Sequence, residues 1–552
     1  MAARAAYYIT TPIYYVNDSP HIGHAYTTLA CDALARFMRL DGRDVRFLTG
    51  TDEHGQKVEK AARDRGMDPQ AFTDEVSTRF RELVRVMGFS QDDFIRTTEE
   101  RHKHAVQHLW TKLVDAGEIY LGAYAGWYSV RDEAFYAESE LVAGKAPTGA
   151  PVEWVEEPSY FFRLSAWQDR LLAFYDAHPD FVLPESRFNE VRSFVKGGLN
   201  DLSVSRTTFA WGVPVPNDPA HVMYVWLDAL TNYISALGYP EDEDGLYARF
   251  WPCDVHVVGK DILRFHAVYW PAFLMAAGLE PPKRVFAHGW WTNEGQKISK
   301  SVGNVIDPHE LIERYGLDAT RYFLLREVPF GNDGDFSHAA MLRRMNSDLA
   351  NDYGNLCQRV LSMIAKNCGA AVPRPGPIEP ADRALLDQAA GLLDTCRRLM
   401  ARQAGHAALE AIWAVIAEAN RYVDTQAPWA LRKSDPERMA TVLWVLAETI
   451  RRVAILTQPF MPDASARILD QLAQPAELRT FGGLGRQPGA LVRRHRPAEA
   501  SGRLPAAGRG RCRCLRRSPP SSTATVTSTI RASSPRWTRW SPAPVLPAWR
   551  PS

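Results

Sequence analysis

Apolar and β-branched residues crowd positions 7–15 and predict a buried strand, stopped by the turn formers Asn17, Asp18, Ser19 and Pro20. From about His24 the period changes. Leu29, Ala33, Phe37 and Leu40 recur at helical spacing, and Asp41-Gly42 closes the predicted helix. Residues 45–51 repeat the strand pattern and run through Asp52-Glu53-His54-Gly55 into a polar helix. Strand, helix and strand in this order predict an α/β fold with a doubly wound parallel sheet, in which ligands bind beyond the C-terminal ends of the strands.

Between residues 118 and 215 the pattern turns aromatic and turn-rich, with Tyr120, Tyr124, Trp127, Tyr128, Phe135 and Tyr136 ahead of a loop-like stretch at 144–151. Residues 158–164 then predict a strand, followed by a helix through Trp167 and Leu171. This segment reads as an insertion that splits the nucleotide-binding fold into 1–117 and 216–336. In the second half, residues 221–233 predict a strand carrying Trp226 and then a helix with Ala229 and Tyr233 one turn apart. Residues 254–266 predict another buried strand, a turn at Gly259, and a helix with Ile262 and His266 on one face. Residues 284–289 are strand-like, and Asp307-Pro308 and residues 316–319 open further helices. From Ser337 to about residue 475 the pattern is helical throughout, with apolar spacing in Leu349, Tyr353, Leu356 and Val360 and again in Trp413, Ile416, Ala417 and Asn420. An α-helical bundle over 337–484 is the expectation.

Composition adds boundaries to this picture. A chain of 552 residues, 46% apolar and 23% charged, is an ordinary globular protein too long for one core. No run of 18 apolar residues and no signal-type N-terminal segment is present, so no membrane partner is expected and the cytoplasm is the expected compartment. The seven cysteines are scattered singly except Cys512 and Cys514, and no CxxC pair occurs, which predicts reduced thiols. The net charge of +1 hides an asymmetry: from Arg486 onward there are 14 arginines against the single acid Glu499, a sum of +13, leaving −12 for residues 1–485. An acidic body binds RNA through local basic patches. Residues 485–552 show little periodicity and predict disorder; they are either the product of a reading-frame slip or a basic RNA-binding tail.

Two stretches carry candidate chemistry. A helix that opens just after a strand points unpaired backbone N–H groups and the positive end of its dipole at whatever lies above the sheet, which makes an anion site. His21 and His24, with Gly23 between them, add donors there, although such a pair alone also describes a surface pair or half a metal site. Far downstream, Lys297-Ile298-Ser299-Lys300-Ser301 forms a basic loop. Asp52, at the end of the second strand, suits either the ammonium group of an amino acid or a helix N-cap.

Together the two stretches resemble the HIGH and KMSKS signatures of class I aminoacyl-tRNA synthetases, with Ile298 in place of the usual Met. Ile13, Tyr15, Asp52, Trp226, Ala229, Tyr233, Ile262 and His266 match the methionine pocket of the methionyl-tRNA synthetase family position by position. A flat, uncharged, aromatic-lined pocket suits a flexible thioether. The resemblance covers residues 7–484 and implies activation of L-methionine by ATP to methionyl-adenylate, followed by transfer to the 3′-terminal ribose of methionine tRNA, initiator and elongator. It implies ATP contacts from His21, Gly23, His24, Gly259, Lys297, Ser299 and Lys300, with His21, His24, Lys297 and Lys300 carrying the catalysis and Mg²⁺ accompanying ATP. It further implies anticodon contacts from Asn355, Arg359, Pro428 and Trp429, and a monomer. The insertion holds no cysteine, and residues 127–136 resemble the family's metal-free variant, so no structural zinc is expected. The insertion is also too short for a separate editing domain. A class I synthetase for another apolar amino acid would share the two loops but lack the pocket set. A non-catalytic tRNA-binding relative would keep Trp429 and lose the imidazoles or lysines.

Overall fold

The computed structural model describes residues 4–16, 19–132, 134–136, 138–298 and 303–484. The expectations for Ser299 and Lys300, and for the tail from 485, lie outside the described residues. Strand Ala6–Thr10 is buried from Tyr7 onward, as a strand covered on both faces must be. It pairs with Asp44–Asp52 on one side and Val255–Gly259 on the other. Val285–His288 and Val182–Leu183 continue the sheet beyond Val255–Gly259, while Tyr14–Tyr15 and Asp93–Arg96 both pair with Asp44–Asp52. Every one of these pairings is parallel. The α/β architecture therefore follows the expected doubly wound pattern, and Thr10, Asp52, Gly259 and His288 emerge at the ligand-binding ends of their strands.

Several element boundaries differ from the sequence reading, each for a physical reason. The strand expected over residues 7–15 is interrupted after Thr10, because Pro12 has no N–H to give to the ladder. The following helix is Ile22–Leu40, starting two residues early because His21 itself serves as the N-cap. Residues 118–215 do carry a separate four-stranded antiparallel sheet built on the long pairing of Ile119–Ser129 with Glu153–Phe162. Yet the chain is back in the parallel sheet before residue 215, through Val182–Leu183. Trp226 is not on a strand. Strand Asp218–Met223 pairs antiparallel with Ser205–Arg206 and Pro214–Val215, and Trp226 lies in the first turn of the next helix, Val225–Leu230. A short apolar run suits a buried strand or a buried helix equally well, so its period could not separate them.

The helical expectation for the C-terminal part holds from His338–Arg344 through Pro462–Gln471, with a wide-turned π-helical stretch at Met345–Gly354 and a non-helical link over residues 370–379. Ala417 faces solvent, and the buried face of Gly405–Gln426 runs through Ile412, Val415, Ile416, Ala419 and Val423. No helix among the described residues is long and apolar enough to cross a membrane.

One continuous apolar core joins Ile9, Ala33 and Phe37 of the nucleotide-binding part to Phe323, and onward to Leu386, Ile416, Leu446 and Phe481 of the helical part. At its centre lies an ion pair. Arg321, with no exposed surface, donates to Asp32 at 2.6 Å and to the carbonyls of Met87, Pro459 and Phe460. Burial opposes the ionisation of Asp32, but Arg321 and Arg36 together hold its carboxyl below the usual range. Asp32→Asn would strand the guanidinium without its counter-charge. We expect a loss of about 3–5 kcal/mol in urea denaturation; a loss of about 1 kcal/mol, the worth of a surface pair, would show that the burial is not as described.

Candidate active site

The N-terminus of helix Ile22–Leu40 closes on itself. The His21 ring accepts the Gly23 N–H at Nδ1 (3.1 Å), and the His24 ring accepts the His21 N–H at its own Nδ1 (3.0 Å). The Ile22 N–H donates to the Ile306 carbonyl at 3.1 Å, tying the helix start to the chain that follows the Lys297 loop. The unpaired backbone N–H groups expected at the helix start are therefore occupied at Ile22 and Gly23. What the helix presents is imidazole: a ring that accepts at Nδ1 carries its proton at Nε2, so both histidines offer an Nε2–H donor. Burial lowers the pKa of His21, and burial with the neighbouring His21 lowers that of His24 much further, so both rings are neutral. His24 is wedged edge-on between Tyr14 (4.8 Å) and Phe80 (5.3 Å). Gly23 has a steric reason to be glycine, since a Cβ there would sit 2.9 Å from Cε1 of His21.

Beside this cap the structure brings four expected pocket residues together. Ile13, Tyr15 and Trp226 pack around Ala229, Tyr224 and Val225 in a small apolar cluster, with Ile13 and Trp226 also packed against a neighbouring core of the nucleotide-binding part. Tyr15 pairs with Asp52 across adjacent strands, and Asp52 is 6% exposed. The Trp226 ring lies flat on Phe265, with centroids 3.3 Å apart and planes 10° from parallel. Tyr233 and His266 meet through a 2.7 Å bond between the phenol oxygen and Nε2. His266 lies 2.9 Å from the Ile262 carbonyl at Nδ1; a carbonyl only accepts, so Nδ1 carries the proton and the Tyr233 hydroxyl donates to Nε2. The i, i+4 relation expected for Ile262 and His266 thus appears as a hydrogen bond at the entry to the π-helical turn Phe265–Tyr269. Burial drives the His266 pKa down to about 4, which keeps the pair uncharged.

Gly259 ends its strand opposite His288. The His288 ring bonds Thr27 at 2.8 Å, and Thr27 in turn donates to the Gly23 carbonyl, so the strand end is linked to the first turn of the helix. Lys297 is exposed on a short hairpin strand. Its ammonium lies 6.0 Å from the centre of the Trp290 ring, and that of Lys260 lies 4.3 Å from it.

The four residues expected to read an anticodon sit in the helical part. Asn355 begins helix Asn355–Asn367, and the Arg359 guanidinium lies 5.5 Å from the centre of the Trp429 ring. Trp429 is 52% exposed rather than buried in the bundle. Pro428 is buried at the first turn of Pro428–Ser434, where it shapes the chain beneath Trp429.

Sequence reading passed over Phe265, Thr27, His288, Trp290, His54, His102 and Asp228, all of which line or support this region. Phe265 could have been found from its place three residues after Ile262. The buried polar residues carried no periodic signal, because their partners come from distant parts of the chain.

Residues 7–151 and 148–361 match the model of class I (M) tRNA synthetases, and residues 372–480 match the anticodon binding domain of methionyl tRNA ligase. The chain is 61% identical to the methionine–tRNA ligase of Mesorhizobium japonicum, over 87% of this chain and 93% of that one. It is 60% identical to that of Rickettsia bellii, over 86% and 94% respectively. Its fold is similar to Mycobacterium tuberculosis methionyl-tRNA synthetase bound by methionyl-adenylate, with a TM-score of 0.88 and 53% identity over 91% of this chain and all of that one. The free state of the same mycobacterial enzyme matches with a TM-score of 0.83 and 50% identity, over 92% of this chain and 99% of that one.

Burial also depresses the pKa values of His256 and His288. With His21, His24 and His266, these rings take up protons more readily in the unfolded chain. Stability is therefore greatest above the ordinary histidine pKa of about 6.5 and is lost as the pH falls through that value toward the folded pKa values. The Tm should drop already between about pH 6.5 and 5.5, above the range of ordinary carboxylates. A flat Tm across that interval would mean that the rings are not held neutral.

Proposed function

Since the chain belongs to the methionyl-tRNA synthetase family of class I aminoacyl-tRNA synthetases, we propose that the residues gathered around the helix N-terminus divide the work of methionine activation and transfer among them. The enzyme joins methionine to tRNA using ATP. A carboxylate oxygen of methionine attacks the α-phosphorus, forming the mixed anhydride of methionyl-adenylate while the bond to the β-phosphate breaks and pyrophosphate leaves with the electron pair. A ribose hydroxyl at the tRNA 3′ end then attacks the adenylate carbonyl, and AMP departs. Neither step requires a side-chain nucleophile, so positioning and charge stabilisation carry the rate.

The observation that carries the choice of amino acid is the uncharged cluster of Ile13, Tyr15, Trp226 and Ala229 beside the carboxylate of Asp52. Asp52 holds the ammonium group, and the thioether lies among Ile13, Trp226, Ala229 and Ile262, facing the neutral Tyr233–His266 pair. A charged or strongly polar side chain would lose its hydration there without gaining a partner. His21 and His24 direct Nε2–H donors at the phosphates, Gly23 and Gly259 let the nucleotide approach the backbone, and Ser299 completes the nucleotide site. Lys297 and Lys300 meet the charge that builds up on the departing pyrophosphate. Mg²⁺ enters as part of the substrate, held by phosphate oxygens; among the described residues no group of three or more His, Cys, Asp or Glu side chains could hold a resident ion. We infer no structural zinc in the insertion. Residues 118–215 lack cysteine, and Trp127 packs edge-on against Trp154 across the long strand pair instead. Every group in the scheme comes from one chain, which supports a monomer working where tRNA and ATP are found, in the cytoplasm. Asn355, Arg359 and Trp429 meet the anticodon of initiator and elongator methionine tRNA, with Trp429 as the stacking platform.

ATP–pyrophosphate exchange across the standard amino acids should proceed with methionine alone; a faster exchange with another apolar amino acid would favour the rival synthetase. Trp226→Ala should raise the methionine KM and leave the ATP KM unchanged, because the ring meets only the amino-acid side. Equal losses for both substrates would make Trp226 a core residue. Trp429→Ala should cost about 1–3 kcal/mol in tRNA charging, the worth of one base stack, with pyrophosphate exchange intact. Loss of both activities together would point to unfolding.

A further inference from the structure

Behind the proposed methionine pocket lies a buried polar chain that the reaction scheme does not use. Asp228 has no exposed surface and sits on helix Val225–Leu230, two residues after Trp226 and one before Ala229. Its two oxygens are taken by different rings: Nδ1 of His54 at 2.7 Å and Nε2 of His102 at 2.8 Å. An ionised carboxylate only accepts, so both rings present N–H groups to it. The far nitrogen of His102 lies 2.9 Å from the Ser235 hydroxyl, on the short helix that carries Tyr233. All four residues are buried.

This chain ties together four elements: the end of strand Asp44–Asp52, helix Val225–Leu230 and the short helix Asn232–Ser235, which carry pocket residues, and helix Glu100–Asp115, which does not. His54 follows Asp52 by two residues, at the end of strand Asp44–Asp52. Its surroundings are pinned as well: Trp211 packs edge-on against the His54 ring, donates from its indole to the Glu53 carbonyl at 2.6 Å, and accepts the Gly55 N–H at 3.0 Å. Glu53 accepts two bonds from Arg96 and one each from Thr51 and Thr98. His102 belongs to helix Glu100–Asp115, outside the pocket altogether. Elements that only needed to pack would be held by apolar contacts, because burying a carboxylate is costly unless directional partners satisfy it. Here burial opposes the charge on Asp228, yet the two imidazoles hold its carboxyl well below the usual range. The clamp fixes direction and distance, which apolar packing does less sharply.

We infer that Asp228, held between His54 and His102, is a positioning residue that sets the distance between the Asp52 carboxylate and the helix carrying Trp226 and Ala229, and so sets how well the pocket fits an amino acid of methionine's length. The inference rests on the proposed roles of Asp52 and Trp226. It concerns methionine alone, since no member of the chain lies on the helix N-terminus or the hairpin assigned to ATP.

The test is ATP–pyrophosphate exchange by the full chain, with methionine and ATP varied separately, for Asp228→Asn, His102→Leu, His102→Gln and the reference Asp52→Asn. Asp228→Asn and His102→Leu should raise the methionine KM by about fivefold or more with kcat and the ATP KM nearly unchanged, the pattern of lost ground-state fit. His102→Gln, whose amide N–H can replace Nε2–H, should recover most of the loss. A smaller rise in both variants, while Asp52→Asn binds methionine poorly, would overturn the clamp and leave the pocket assignment standing. Unchanged methionine affinity in all variants, Asp52→Asn included, would overturn the assignment and the clamp with it. Parallel loss of methionine and ATP parameters would reduce the chain to a fold determinant and overturn its positioning role. Should Asp228→Asn lack a cooperative thermal transition, the contrast between His102→Leu and His102→Gln decides.

Discussion

At the start of helix Ile22–Leu40 the chain's own imidazoles take backbone N–H groups that a helix otherwise offers to a ligand. The reciprocal cap settles the tautomer of both rings, and with it the direction in which each can donate. It also requires glycine at 23, since any Cβ would push the His21 ring away from the helix. The Ile22 N–H goes to the Ile306 carbonyl, so the helix start is tied through the backbone to the chain that follows the Lys297 hairpin. An anion arriving here meets aimed side-chain donors on top of the helix dipole, a more directional site than a bare helix end.

Burial keeps this region poor in charge. His21, His24, His256, His266 and His288 are all held toward the neutral form, and the cluster around Ala229 is built of apolar and aromatic side chains. Charged side chains stand at Asp52, at the end of its strand, and at Lys297, on the short hairpin. In a site of low effective dielectric, neutral donors avoid the repulsion that two adjacent imidazolium rings would suffer.

The same helix is anchored far from its working end. Asp32 binds Arg321 in the shared core, and Phe37 meets Phe481 edge-on at 4.8 Å. The helical part therefore packs on the helix whose first turn forms the site. A guanidinium with four protein acceptors also specifies one relative placement of residues 32, 87, 321 and 459–460, which apolar packing alone would leave less sharply defined.

Local sequence determined a good deal. The change of hydrophobic period at about His24, the Asp41-Gly42 stop, the helical spacing of the C-terminal part and the basic loop at 297–301 are local patterns, because helix and strand are local responses to apolar spacing. The same locality explains the misses. Whether residues 222–227 are strand or helix depends on where Val204 and Val213 place the antiparallel ladder, and no neighbouring residue carries that information. The return of Val182–Leu183 to the parallel sheet, the Trp226–Phe265 stack, the partners of Asp32 and the clamp on Asp228 were decided by tertiary structure, since each joins residues well separated along the chain. Sequence could name His21 and His24 as donors, but only the folded backbone, by filling Nδ1 of each ring, decided that they act as neutral Nε2–H groups.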